Sequence, residues 1–128
     1  MEDFQGDELY RENILDHYRH PHNTGVMEQC THRAREVNPL CGDEIEIFLR
    51  FDEVGKAANV SFVGQGCAIS QAVVSMLTDW VKGKSREELA RADETYVRQW
   101  LGAPVSVSRE KCAFLGLRAL RRAIDINN

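Results

Sequence analysis

Residues Glu44 to Phe51 constrain the fold more than any other stretch, because their polarity alternates with the period of a β-strand. Ile45, Ile47, Leu49 and Phe51 share one face, while Glu44, Glu46 and Arg50 share the other. One apolar and one wet face is the pattern of a half-buried strand in an antiparallel sheet. Asp52-Glu53-Val54-Gly55-Lys56 supplies a turn, and Ala57 to Val63 reads as the returning strand. Thr31 to Val37 is expected as a short edge strand. The hairpin has a chemical consequence. It carries Asn38-Pro39-Leu40-Cys41-Gly42-Asp43 and Gly64-Gln65-Gly66-Cys67 to the same end of the sheet, so two thiols and a carboxylate converge.

Helical periodicity accounts for most of the remainder. A first amphipathic helix is expected from Asp7, its cap, with Leu9, Tyr10, Ile14, Leu15 and Tyr18 as the apolar stripe. His20-Pro21-His22-Asn23-Thr24-Gly25 ends it, since proline cannot continue the ladder. Ala68 to Lys82 places Ile69, Val73, Met76, Leu77 and Trp80 on one side and stops at Gly83. Ser85-Arg86-Glu87-Glu88 is a capping box opening a short helix, and Glu94 to Leu101 forms another. Pro104 makes Ala103 to Val107 extended. The last helix is expected over Arg109 to Asp125, capped by Ser108, with Ala113, Leu117, Leu120 and Ile124 facing the core and Cys112 in its first turn.

A chain of 128 residues that is 43% hydrophobic and 28% charged suffices for one domain, 1–128, with a real core. Its formal charge of −4 argues against nucleic acid as a partner. Arg109, Lys111, Arg118, Arg121 and Arg122 gather near the C-terminus and read as a solvated helix face rather than a docking surface. The acidic start Met1 to Glu8 lacks the basic and apolar regions of a secretory signal, and no apolar run approaches the ~20 residues of a membrane span. A cytoplasmic setting with no membrane partner is therefore expected. Thiols stay reduced there, so the 4 cysteines point to chemistry rather than to disulfides.

Cys41 and Asp43 share one turn, Cys67 follows two glycines at a helix start where a thiolate is favoured, and Cys112 lies near another helix start. Three thiols and a carboxylate make a four-ligand set. Each cysteine taken alone reads by default as a small buried hydrophobe, a balance shifted by three at element boundaries, and no Cys-x-x-Cys pair indicates a zinc finger or a dithiol. His17 reads as structural, and His20 and His22 as exposed turn residues flanking Pro21. Cys30 is not expected to be a ligand.

These residues also carry a resemblance. Asn38 to Asp43, Gly64 to Ser70 and Lys111-Cys112-Ala113, with Leu9-Tyr10-Arg11, Asp16-His17-Tyr18, Pro21, Asn23 and Gly25, resemble the IscU/SufU/NifU N-terminal family of iron-sulfur cluster assembly scaffolds. The likeness spans nearly the whole chain. It implies an α+β fold, a three-stranded antiparallel sheet with helices packed on it. It also implies a metal and cluster site of Cys41, Asp43, Cys67 and Cys112, and a pyridoxal-phosphate cysteine desulfurase as sulfur donor. Lys111 before the third cysteine resembles the SufU branch, whereas the short spacing from Cys67 to Cys112 resembles the IscU branch. Gly102-Ala103-Pro104-Val105-Ser106 departs from the chaperone-read motif of the IscU system.

Two functions lead on this basis, ahead of a purely structural zinc module, since structural sites are usually closed by Cys and His without carboxylate. The first is a scaffold that builds a transient [2Fe-2S] cluster from iron and desulfurase-derived sulfur and passes it to apo iron-sulfur proteins. The second is a zinc-dependent sulfurtransferase, with zinc on the same residues in the isolated protein and Cys41, Cys67 and Cys112 as candidate persulfide acceptors. A weaker donor than thiolate in the fourth place suits a cluster that must be given away.

Overall fold

The computed structural model describes residues 8–102 and 106–126. The chain runs α1 (Glu8–Arg19), β1 (His32–Asn38), β2 (Asp43–Phe51), β3 (Ala57–Gln65), α2 (Ala68–Val81), α3 (Arg86–Ala90), α4 (Glu94–Leu101), α5 (Val107–Ala113) and α6 (Leu115–Ile126). The strands form an antiparallel sheet in the order β1-β2-β3, as the alternation in β2 requires. The expected Asp7 cap and the Ala103-Pro104-Val105 stretch lie outside the described residues, as do the side chains of Leu9, Tyr10 and Ser108.

Ile45, Ile47 and Leu49 are fully buried and meet Val74, Leu77, Leu115, Leu120 and Ile124, so α2 and α6 cover the apolar face of the sheet. A second cluster joins Ile14, Ile69, Val73, Val97, Leu101 and Leu117, packing α1, α4 and α5 around α2. Phe48 is also fully buried, on the face read as wet, with the Arg33 guanidinium 4.8 Å above its ring. The outer edge of β3 is not left open. Asn23, Thr24 and Gly25 pair with Phe62, whose N–H donates to the Asn23 carbonyl at 2.9 Å and whose carbonyl accepts the Gly25 N–H at 2.9 Å.

Two expectations about helices need correction. The C-terminal helix is not continuous from Arg109 to Asp125. It starts at Val107 with Ser106 as its cap position, so Ser108 lies inside it, and it breaks at Phe114, where φ is −92° and ψ is 0°. The break lets α5 lie against α2 while α6 runs across the sheet, and the Gly116 position allows α6 to approach Val74, which an added Cβ would meet at 3.1 Å. Cys112 consequently sits in the last turn of α5, not the first turn of a long helix. On α1, Tyr18 is not in the buried stripe but 43% exposed, and His17 takes the inward place beside Ile14. The imidazole tolerates that burial because its Nδ1 is 2.8 Å from the Ser75 hydroxyl of α2.

The remaining helix ends follow their local chemistry. The Ser85 capping box is complete, Asp93 caps α4 by accepting the Thr95 N–H, and Gly102 closes α4 at φ 68°. The C-terminal basic residues are largely engaged on the surface. Arg121 donates to the Ala92 carbonyl and Arg122 to the Glu36 carboxylate, whereas Lys111 is exposed. No helix among the described residues is long and apolar enough to cross a membrane.

Candidate metal and thiol centre

β1 ends at Asn38, which pairs with Asp43 at the start of β2, so Pro39 to Gly42 form the turn between them. Asn38 builds that turn. Its carbonyl accepts the N–H groups of Cys41 at 3.3 Å and Gly42 at 2.9 Å, while its Oδ1 accepts the Leu40 N–H at 3.2 Å. Its Nδ2 lies 4.0 Å from the Cys112 sulfur, within reach of a weak N–H···S contact. Asn38 is 6% exposed, and its link to Cys112 spans 74 positions, whereas its sequence neighbours mark it only as a turn former.

Cys41 stands exposed on the turn with its Sγ 3.4 Å from Sγ of the buried Cys112. That separation is a thiol contact, well beyond a disulfide bond. Cys41, Asp43 and Cys112 bring one ligand atom each to within 4.8 Å of one another. Cys67 lies beside them with its sulfur facing the first turn of its own helix, accepting the Ser70 N–H at 3.5 Å. Cys30 is half-buried on the loop before β1 and is not part of the cluster.

Asp43 is the pivot of this arrangement. It is 2% exposed, and its Oδ1 accepts the Cys67 N–H at 3.0 Å, which ties the start of β2 to the start of α2. Its Oδ2 is buried and has no hydrogen-bond partner among the described residues. A buried oxygen without a partner costs roughly 1–3 kcal/mol, and a cation held between it and the thiols would satisfy it. The donor set, soft sulfur with one carboxylate, fits zinc or iron.

Two groups of the centre titrate away from their ordinary values. Burial pushes the Asp43 carboxyl up, but the nearby thiols of Cys112 and Cys67, the Cys67 N–H and the Cys41 thiol pull it further down, so the net shift is downward. Burial is the main reason the Cys112 thiol is raised, and the Cys41 and Asp43 side chains add to it. The signs set the stability profile of the metal-free protein. Asp43 contributes stability above the ordinary value of 3.8 that disappears as pH falls through its lower folded value. Cys112 contributes stability that is whole below the ordinary 9.0 and declines above it, because the unfolded thiol ionises first. Urea titrations from acid to alkaline pH should show both declines, and Cys112→Ser should remove the alkaline one. Metal binding should tighten as pH rises, since it must displace thiol protons.

The profile of the NifU-like N terminal domain matches residues 9–126. The chain belongs to that family. The iron-sulfur cluster assembly scaffold protein IscU of Streptococcus pyogenes serotype M1 is 37% identical, over 91% of this chain and 82% of its own. The zinc-dependent sulfurtransferase SufU of Bacillus subtilis is 30% identical, over 92% of this chain and 90% of its own. The crystal structure of a nitrogen-fixing NifU-like protein, N-terminal part, from Brucella abortus superposes with a TM-score of 0.75 at 19% identity, covering 94% of this chain and 95% of that one. At that identity the last likeness speaks for the fold alone. The fold expected from the resemblance is the one this family member has, a three-stranded antiparallel sheet with helices packed on it.

Proposed function

We propose that this chain is a scaffold for iron-sulfur cluster assembly, receiving iron and desulfurase-derived sulfur at Cys41, Asp43, Cys67 and Cys112 and passing the cluster to apo-proteins. The observation that carries this reading is the convergence of one ligand atom each from Cys41, Asp43 and Cys112, with Asp43 Oδ2 buried and without a hydrogen-bond partner among the described residues. Likeness to scaffold proteins from several organisms supports it. Cys67 completes the set by swinging its sulfur from the first turn of α2 toward the other three.

The residues divide the work by exposure. Cys41 is exposed on a turn and meets a partner first, so its thiolate attacks the outer sulfur of the desulfurase persulfide. The sulfur–sulfur bond breaks, and its electron pair leaves with the desulfurase cysteine. Reducing the delivered sulfur to sulfide takes electrons from ferrous iron and from an external electron carrier. Cys112, buried and holding its proton, yields it only when a cation arrives. The cluster expected here is [2Fe-2S], in which a four-donor set gives two protein ligands to each iron.

The second reading is a zinc-dependent sulfurtransferase. Likeness to SufU and Lys111 before Cys112 favour it, and it uses the same four donors. Anaerobic reconstitution with iron, cysteine and a cysteine desulfurase separates the two. A visible cluster spectrum followed by transfer to an apo-ferredoxin supports the scaffold. Absence of any cluster, with persulfide on the zinc-loaded protein, replaces it with the sulfurtransferase.

The protein as isolated is expected to carry about one zinc per chain, as suits a tetrahedral set. Elemental analysis of alanine variants at Cys41, Asp43, Cys67 and Cys112 should show zinc lost from each, whereas Cys30→Ala should keep it. Full zinc in Cys67→Ala would remove that residue from the set.

A further inference from the structure

At the far end of α2 from the thiols lies a second group of metal-ligating side chains. His17 of α1, His22 of the following connector and Asp79 of α2 bring one ligand atom each to within 4.8 Å of one another. Asp79 is twelve positions beyond Cys67, which places this group about 18 Å along the helix from the cysteine centre. We propose that His17, His22 and Asp79 form a second cation site, one that takes a divalent first-row transition ion such as zinc.

The surroundings of these residues resemble a prepared coordination site. His17 is 9% exposed, and its Nδ1 is bonded to the Ser75 hydroxyl at 2.8 Å, so in the proposed site the cation takes the other ring nitrogen. Imidazole ligands commonly have their second nitrogen fixed in this way. The same hydroxyl accepts the His22 backbone N–H at 2.8 Å, anchoring the second ligand to the first. Asn23 orients the third, donating from Nδ2 to Asp79 Oδ1 at 2.9 Å and to Thr78 Oγ1 at 2.9 Å. It does so from a left-handed backbone, φ 59°, the one positive φ at a non-glycine among the described residues. Asp79 Oδ2 is thereby left facing His22 Nδ1 at 2.6 Å.

Without metal, His22 Nδ1 and Asp79 Oδ2 are hydrogen-bonded to each other, and the cation takes the place of that bond. The nitrogen and oxygen then part to roughly 3.3 Å, the edge of a tetrahedron built on ~2.0 Å bonds. Both side chains are 44% exposed, and that openness admits the ion. Two imidazoles and one carboxylate leave a fourth position for water, the composition of open zinc and ferrous sites.

The test uses the full chain without an affinity tag, with one equivalent of zinc already at the thiols. Further zinc is titrated in while the imidazole nitrogen resonances are followed. A second equivalent should bind and move the His17 and His22 signals. Asp79→Asn, which keeps the side-chain shape, should weaken this step at least about tenfold, and Asn23→Gly, which keeps the backbone angle, by about 10–100-fold. Unmoved imidazole signals, or equal binding by both variants, would overturn the site and leave His22–Asp79 as a simple ion pair. Because the imidazoles report on this end of α2 alone, the outcome is independent of whether the cysteine centre assembles clusters.

Discussion

Asp43→Cys should yield a protein that keeps its assembled cluster longer in air and surrenders it more slowly to an apo-ferredoxin. The carboxylate is the one hard donor in the proposed set, and replacing it with a fourth thiolate gives iron the coordination found in permanent cluster carriers. A gain of only roughly 1.4 kcal/mol in holding the cluster slows release about tenfold. Asp43 also accepts the Cys67 N–H, so the substitution alters two things at once. Asp43→Asn resolves them, because it keeps an oxygen for that N–H while removing the anionic ligand. Its metal affinity should fall with the fold intact by circular dichroism. If Asp43→Cys lengthens neither cluster lifetime nor transfer time, the carboxylate does not set lability.

Gly66→Ala should damage the fold and the site together. Gly66 has φ 148°, and an added Cβ would stand 2.2 Å from Asp43 Oδ1. Strained backbone of this kind costs roughly 1–3 kcal/mol. Displacing the carboxylate from the Cys67 N–H leaves a half-buried donor unmet, which adds to the loss. Denaturation should show the loss, and zinc content should fall with it. Gly42→Ala makes the informative contrast. At φ 75° it is strained, but its Cβ meets nothing within 4 Å, so it should lose stability while retaining more metal.

The alternation from Ile45 to Phe51 made the sheet legible, because a strand with one covered face leaves its period in the residues themselves. The same register made the nearness of Cys41, Asp43 and Cys67 legible: Glu44 pairs with Gln65, so Asp43 must come beside Gly66. The break at Phe114 left no such trace. Leu117, Leu120 and Ile124 carry the apolar period straight past it, and neither Phe114 nor Gly116 is a helix stop of the kind proline is. His17 was concealed differently. Apolar periodicity favours Tyr18 for the buried side, and only the Ser75 hydroxyl on another helix explains why a histidine lies inward. Asn38 reads as a turn former from its neighbours, whereas its contact with Cys112, 74 positions away, belongs to the tertiary structure.

Cys41 and Cys112 are 71 positions apart, and in the proposed set one ion or cluster joins them. Such a bridge is a reversible crosslink closing more than half the chain. Were it covalent, a closed loop of that length would restrain the unfolded ensemble by about 4 kcal/mol on the chain-entropy account. Loading the scaffold therefore staples the molecule, and delivering the cargo unstaples it. Each transfer changes the folding equilibrium of the donor as well as the contents of its site, and a recipient that takes the cluster must draw it from a protein that becomes looser in giving it up.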